Sequence, residues 1–195
     1  MCLVSTQNIQ NGKLFPSNKI ILSLSLHPWK IQVLKDLDKH ASRAASIRKS
    51  HKKMFQRLKQ ENSQEIDHRF IKNHQAVFAQ TNCLSCANCC KTTGPLFTSK
   101  DIERIARFLK IRPAEMVETY LRVDEDQDYV VKKTPCVFLG PDNDCSIYTI
   151  RPKACREYPH TDRIKQKQLF GVTLKNASIC PAVYEILERI REKIT

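Results

Sequence analysis

The sequence predicts a mainly α protein. A basic, mostly helical N-terminal extension over residues 1–80 precedes a small cysteine-rich domain over 81–195, whose turn-rich segments need metal or cross-links to hold them. Three observations predict this. Apolar residues recur at steps of three and four through much of the first half. Charge is lopsided: residues 1–80 hold 14 Lys/Arg against 5 Asp/Glu, a net of +9, whereas 81–195 hold 19 against 15, a net of +4. Eight of the nine cysteines fall between 83 and 180, with Cys2 alone outside. Cysteine at roughly 8% of such a stretch is near the density that marks a cross-linked or metal-held scaffold.

In chain order, residues 1–28 show no helical period and read as a loose tail. Trp29, Val33, Leu34, Leu37, Ala41, Ala44, Ala45 and Ile47 then form an apolar stripe, which Met54, Phe55 and Leu58 continue. Ser63 and Gln64 interrupt it, and Ile66, Phe70, Ile71, Val77 and Phe78 suggest a second helix. The opposite face of the first helix carries Arg43, Arg48, Lys49, Lys52, Lys53, Arg57 and Lys59. Thr98 and Asp101 form a capping-box pair that starts a helix burying Ile102, Ile105, Ala106 and Leu109. Pro113 suits the first turn of the next helix, which buries Met116, Val117, Tyr120 and Leu121. Tyr129 to Val131 reads as a short strand, and 135–159 as turns. A last helix starts at Pro181 and buries Val183, Ile186, Leu187 and Ile190.

Composition excludes several classes. The chain has 195 residues, of which 41% are hydrophobic and 27% charged, which suits one domain of ordinary size with an extension. The longest apolar stretch, Ile20 to Leu26, is far short of the roughly 20 residues a membrane helix needs, so no membrane partner is expected. No small-residue cleavage site follows it, which points to the cytoplasm. The four glycines form neither G-x-G nor G-K-[ST], and no H-E-x-x-H occurs. Asp124, Asp126 and Asp128 fail as a calcium loop: Tyr129 stands where glycine is required and Pro135 where the bidentate glutamate belongs.

The chemistry lies in Cys83, Cys86, Cys89 and Cys90, a C-x2-C-x2-C-C run followed by Cys136, Cys145, Cys155 and Cys180. Two-residue spacings turn successive thiolates toward one ion. Adjacent Cys89 and Cys90 cannot easily serve the same centre. The spacing therefore predicts Cys83, Cys86 and Cys89 with Cys180 around one centre, since Pro181 opens a helix at whose N-terminus a thiolate is favoured. Cys90 then joins Cys136, Cys145 and Cys155 around a second centre, or stays free beside the first. Free thiols and disulfides are the plainer alternatives, but this spacing without export context argues against both. Zinc, iron or an iron–sulfur cluster is the expected cofactor. Metal should supply on the order of 10 kcal/mol per four-thiolate site. Its removal is therefore expected to unfold 83–195 and leave the helicity of the first half.

These residues, with the stretch Cys145-Ser146-Ile147-Tyr148 and Arg151-Pro152-Lys153-Ala154-Cys155-Arg156, resemble the YkgJ-type cysteine-cluster family across residues 83–180. The resemblance implies a zinc- or iron-chelating domain with eight cysteines. A flagellin lysine N-methylase group is similar in the same region, which allows an iron–sulfur enzyme in redox or methyl-transfer chemistry. The basic half lies outside the resemblance.

Four thiolates around a metal leave net negative charge, so Arg151 and Arg156 are candidates to offset it. Tyr148 and Tyr158 are expected to pack over the turns. His160 could replace one sulfur, although a lone histidine there is more often an ordinary surface residue. The basic residues 43–59 could engage nucleic acid or an acidic protein, making a zinc-stabilised nucleic-acid binder the third reading.

Overall fold

Two hydrophobic cores organise the computed structural model, which describes residues 37–194. The tail over 1–28, Cys2, Trp29, Val33 and Leu34 lie outside the described residues.

Helix α1 (Leu37–Leu58) and α2 (Ser63–Phe78) are joined by a short turn over 59–62. Asn62 opens α2 by accepting hydrogen bonds from Gln64 N at 2.8 Å and Glu65 N at 3.3 Å, satisfying amides that have no partner inside the helix. Ala44, Met54, Phe55 and Leu58 are buried on α1, as the period predicts, but Ala41 and Ala45 are exposed. His40 and His51 occupy the buried positions instead, because each finds a long-range partner: Ala177 O for His40 and Glu188 Oε1 for His51, both at 2.9 Å.

The cysteine run folds into two short helices, α3 (Cys83–Cys86) and α4 (Asn88–Thr92), and strand β1 (Leu96–Phe97) follows. Then come α5 (Ser99–Leu109), α6 (Pro113–Tyr120), β2 (Leu121–Val123) and β3 (Tyr129–Val131). Thr98 and Asp101 make the expected capping box, and Pro113 and Pro181 each take the first helical turn. The strands form an antiparallel sheet in the order β1-β3-β2, with Leu96 opposite Val130 and Leu121 opposite Val131. Asp124 joins β2 to β3 as a turn, its side chain accepting from Asp126 N and Asp128 N. Helix α7 (Lys153–Glu157) lies in the turn-rich stretch. Helix α8 (Gln166–Asn176), which no sequence pattern announced, precedes the terminal α9 (Pro181–Glu192).

Helices α1, α2, α8 and α9 enclose the first core, where Leu58, Ile66, Phe70, Val77, Val183, Ile186, Leu187 and Ile190 are fully buried. Each such side chain contributes about 1.5–3 kcal/mol by leaving water. Phe97, Ile102, Ile105, Met116, Leu121, Val131, Phe138 and Ile147 build the second core between α5, α6 and the sheet. Cys180 packs on the first core, while Cys136 and Cys145 pack on the second. The cysteines thus lie where the two cores meet. Among the described residues, no helix is long and apolar enough to cross a membrane.

Candidate metal centre

The C-x2-C-x2-C-C run is shaped by its caps. Asn82 accepts from Leu84 N at 3.0 Å and Ser85 N at 3.3 Å, which starts α3 at Cys83. Ala87 takes a left-handed backbone (φ 48°) and donates its N–H to Cys83 O at 2.7 Å, so the chain reverses into α4 between Cys86 and Cys89. Asn88 Nδ2 donates to Ile179 O at 2.6 Å, which pins α4 against the residue before Cys180. Cys136 N donates to Cys90 O at 2.8 Å and ties the second group of cysteines to the run. A tight loop follows, in which Leu139 bridges Cys145 and brings 136 and 145 together.

Charge interactions link the thiols mostly within two groups, with Cys86 also feeling Cys90 and Cys89 also feeling Cys155 across them. Cys180 interacts with Cys83 and Cys86, and Cys89 with Cys180. Cys90, Cys136 and Cys145 all act on Cys155, while Cys136 also feels Cys90 and Cys145. Cys89 and Cys90, with sulfurs 4.0 Å apart and within hydrogen-bond reach of each other, join the groups. That shared hydrogen bond holds the Cys90 thiol below its ordinary value, helped by Lys91, and holds Cys89 above it.

Burial pushes most of the thiols up, Cys155 and Cys180 to about 12. Backbone amides oppose it at four of them. Cys86 accepts from the N–H of Asn88, Cys136 from Phe138, Cys145 from Ile147, and Cys180 from Ala182 and Val183. An amide aimed at sulfur two residues back favours the thiolate, and thiolates are the soft donors that zinc and iron take. The donor set therefore fits such a metal. The thiols form loose groups rather than closed cages: among the described residues, no three His, Cys, Asp or Glu side chains already enclose an ion site.

Arg151 is the counter-charge expected of it, lowering Cys145 and Cys155 while stacked over Tyr148 at 4.0 Å. Arg156 instead donates to Arg151 O at 2.6 Å. Lys91, which sequence reasoning passed over, faces Cys86 and Cys90. Tyr158 lies against the first group, its phenol pushed up by burial and by Cys180, Cys89 and Cys86. His160 interacts with Arg163, Glu157 and Asp162 rather than with a cysteine, and its carbonyl accepts from Gln166 Nε2 at 2.8 Å.

Asp101 was legible only as a cap. Its carboxylate also accepts from Arg104 Nη2 at 2.6 Å and from Lys153 N at 3.1 Å, at the start of the helix that carries Cys155.

A 91-residue stretch is 32% identical to an uncharacterized protein of Methanocaldococcus jannaschii, covering 45% of this chain and 49% of the other. The chain thus spans about half the length of that curated relative. No solved structure matches it. The CxxCxxCC family, described as a "Putative zinc- or iron-chelating domain", matches residues 82–181, just over half of the chain and the whole eight-cysteine region, and the chain belongs to that family.

Proposed function

We propose that this chain binds zinc or iron in two four-sulfur centres, one held by Cys83, Cys86, Cys89 and Cys180, the other by Cys90, Cys136, Cys145 and Cys155. The observation that carries this reading is the gathering of eight thiols from distant parts of the chain near the junction of two cores, with Cys180 beside Cys83, Cys86 and Cys89, and Cys155 beside Cys90, Cys136 and Cys145. Backbone amides aimed at Cys86, Cys136, Cys145 and Cys180 stabilise thiolates, while Lys91 and Arg151 offset the negative charge of four sulfurs around one cation. Zinc would supply a tetrahedral cross-link, and an iron–sulfur cluster would add electron transfer. A reducing compartment such as the cytoplasm would keep these thiols available to metal.

Metal analysis of anaerobically purified protein tests the reading. Two four-sulfur centres should be present. Cys86→Ser should remove one, Cys145→Ser the other, and Cys2→Ser neither. Unchanged metal in Cys86→Ser would overturn the assignment. Equal loss from Cys90→Ser and Cys86→Ser would replace two centres by one merged cluster. A brown protein absorbing at about 400 nm identifies iron–sulfur, and a colourless one with bound zinc identifies the cross-link.

A further inference from the structure

We propose that the solvent face shared by α1 and α8 binds the phosphate backbone of a nucleic acid duplex without regard to sequence. The first observation is a segregation of charge that the fold completes. Residues 39–59 hold eight Lys/Arg and residues 163–175 hold four, with no Asp or Glu in either, so these 34 residues carry +12 of the chain's +13. The two segments lie side by side. Phe55 stacks on Phe170 with ring centroids 4.3 Å apart, Arg48 Nη1 donates to Leu174 O at 3.3 Å, and Lys167 Nζ donates to Lys59 O at 2.9 Å.

Met54, Phe55 and Leu58 of α1 are buried in the core, and Lys49, Lys52, Lys53 and Arg57, with Lys59 just beyond the helix end, are exposed to solvent. None of the five forms an ion pair among the described residues, although beside α8 Arg163 pairs with Glu157 at 2.8 Å and Asp67 accepts from Lys165 N and Gln166 N. Like charges held together without counter-charge repel, and a polyanion relieves that repulsion.

Gly171 is the second observation. It stands one turn from Lys167 and one from Lys175, exposed beside the seam with α1. Glycine inside a helix costs about 1 kcal/mol relative to alanine. Packing does not demand it here, because an added Cβ would meet nothing within 4 Å. What glycine leaves is bare backbone on a basic surface, where a sugar–phosphate ridge can come close.

The chemistry favours a duplex over other polyanions. A helix that binds anionic lipid keeps a continuous apolar face for the acyl boundary, whereas that of α1 faces the core and residues 163–175 expose only Ile164 and Val172 as large apolar side chains. Single strands are gripped by exposed aromatic rings, whereas Phe55 and Phe170 are both buried. The cationic stretch over 39–59 spans about 30 Å at 1.5 Å per residue, enough to follow roughly nine steps of duplex at 3.4 Å each.

Fluorescence anisotropy of full-length, metal-loaded protein with labelled 20-base-pair duplexes of two unrelated sequences tests the proposal. Both should bind alike, with log K falling against log salt at a slope of about −4 to −5 for five phosphate contacts. Combining Lys52→Glu, Lys59→Glu and Lys175→Glu should weaken binding roughly tenfold or more at low salt and make the slope shallower by about 2 to 3. Circular dichroism and metal content confirm that this variant folds. Lys100→Glu, Lys110→Glu and Lys133→Glu together change net charge equally, from exposed positions on the second core, and should bind as the parent does. Absence of duplex binding, equal weakening by the two triple variants, or capture by anionic vesicles in place of duplex would each overturn the proposal.

Discussion

Asp101 does two jobs with one carboxylate. It closes the start of α5 by accepting from Thr98 N at 3.1 Å and Thr98 Oγ1 at 2.7 Å, and it accepts from Lys153 N at 3.1 Å across 52 residues of chain. The Arg104 guanidinium bonded to it donates in turn to Ile150 O and Arg151 O, both at 3.1 Å. Burial works against ionisation, but Thr98, Arg104 and the Lys153 amide outweigh it and hold the carboxyl below its usual range. Asp101→Ala removes an acceptor from all of these and leaves Arg104 without its partner. It should cost about 3 kcal/mol. Because Lys153 begins the helix that carries Cys155, the same variant should release metal to a chromogenic chelator faster than the parent. Parental stability and release rate in Asp101→Ala would show that the carboxylate anchors nothing. Sequence alone could give Asp101 only its local role, because a capping box is written in four consecutive residues and the bond to Lys153 is not.

At the scale of elements, legibility follows the same division between local and distant causes. The starts of α5, α6 and α9 are readable from Thr98, Pro113 and Pro181, since caps and proline act within one turn. Helix α8 is not readable. Lys165 before it has a left-handed backbone (φ 62°) and makes no side-chain cap, Gly171 breaks its propensity, and only Phe170 and Leu174 of its apolar residues are buried. Sequence spacing brings out Cys83 to Cys90 as a group, which Lys91 adjoins in the chain; Tyr158 joins them only through folding. The histidines of α1 were missed because an imidazole reads as polar until its partner, 137 residues away in both cases, is seen. They make a pH prediction. Burial lowers the pKa of His40 and His51 against the opposing pull of Ala177 O and Glu188, so folding favours the neutral rings. The unfolded chain then binds more protons below pH 6.5, and stability present above that value is lost as pH falls through it. His40 Nδ1 is buried without a partner, so its protonation puts an unpaired N–H in the core. His40→Gln keeps a donor for Ala177 O and does not titrate. Relative to the parent, its stability curve between pH 6.5 and 5 should be shallower, by at most about 1.4 kcal/mol per pH unit. Parallel curves from denaturant melts would remove His40 from the account.

Among the described residues, two cores are joined through cysteine-bearing segments, and this changes what loss of metal should do. Sequence reasoning expects residues 83–195 to unfold together, because the second half has short helices and long turns. Yet α8 and α9 lie within that range and share a core with α1 and α2, where Phe70, Ile186, Leu187 and Ile190 are buried without help from sulfur. The stretch from 132 to 160 has no such support. It contains a three-residue turn of 3-10 helix, the five residues of α7 and a bridge between Leu139 and Cys145; Phe138 and Ile147 are its buried contributions to the second core, with Cys136, Cys145 and Ile150 partly buried beside them. If each four-sulfur site supplies on the order of 10 kcal/mol, most of the order in this stretch and in 83–92 depends on metal. Hydrogen exchange before and after chelation under reducing conditions separates these parts. Amides of 83–92 and 136–157 should lose protection by several orders of magnitude, α5 and α6 by less, and the buried turns of α2 and α9 least. The four-helix core should go on melting cooperatively in urea once metal is gone. A single loss of protection shared by α2, α9 and the cysteine loops would mean that the cores do not stand apart, and that the thiol centres hold up the entire fold.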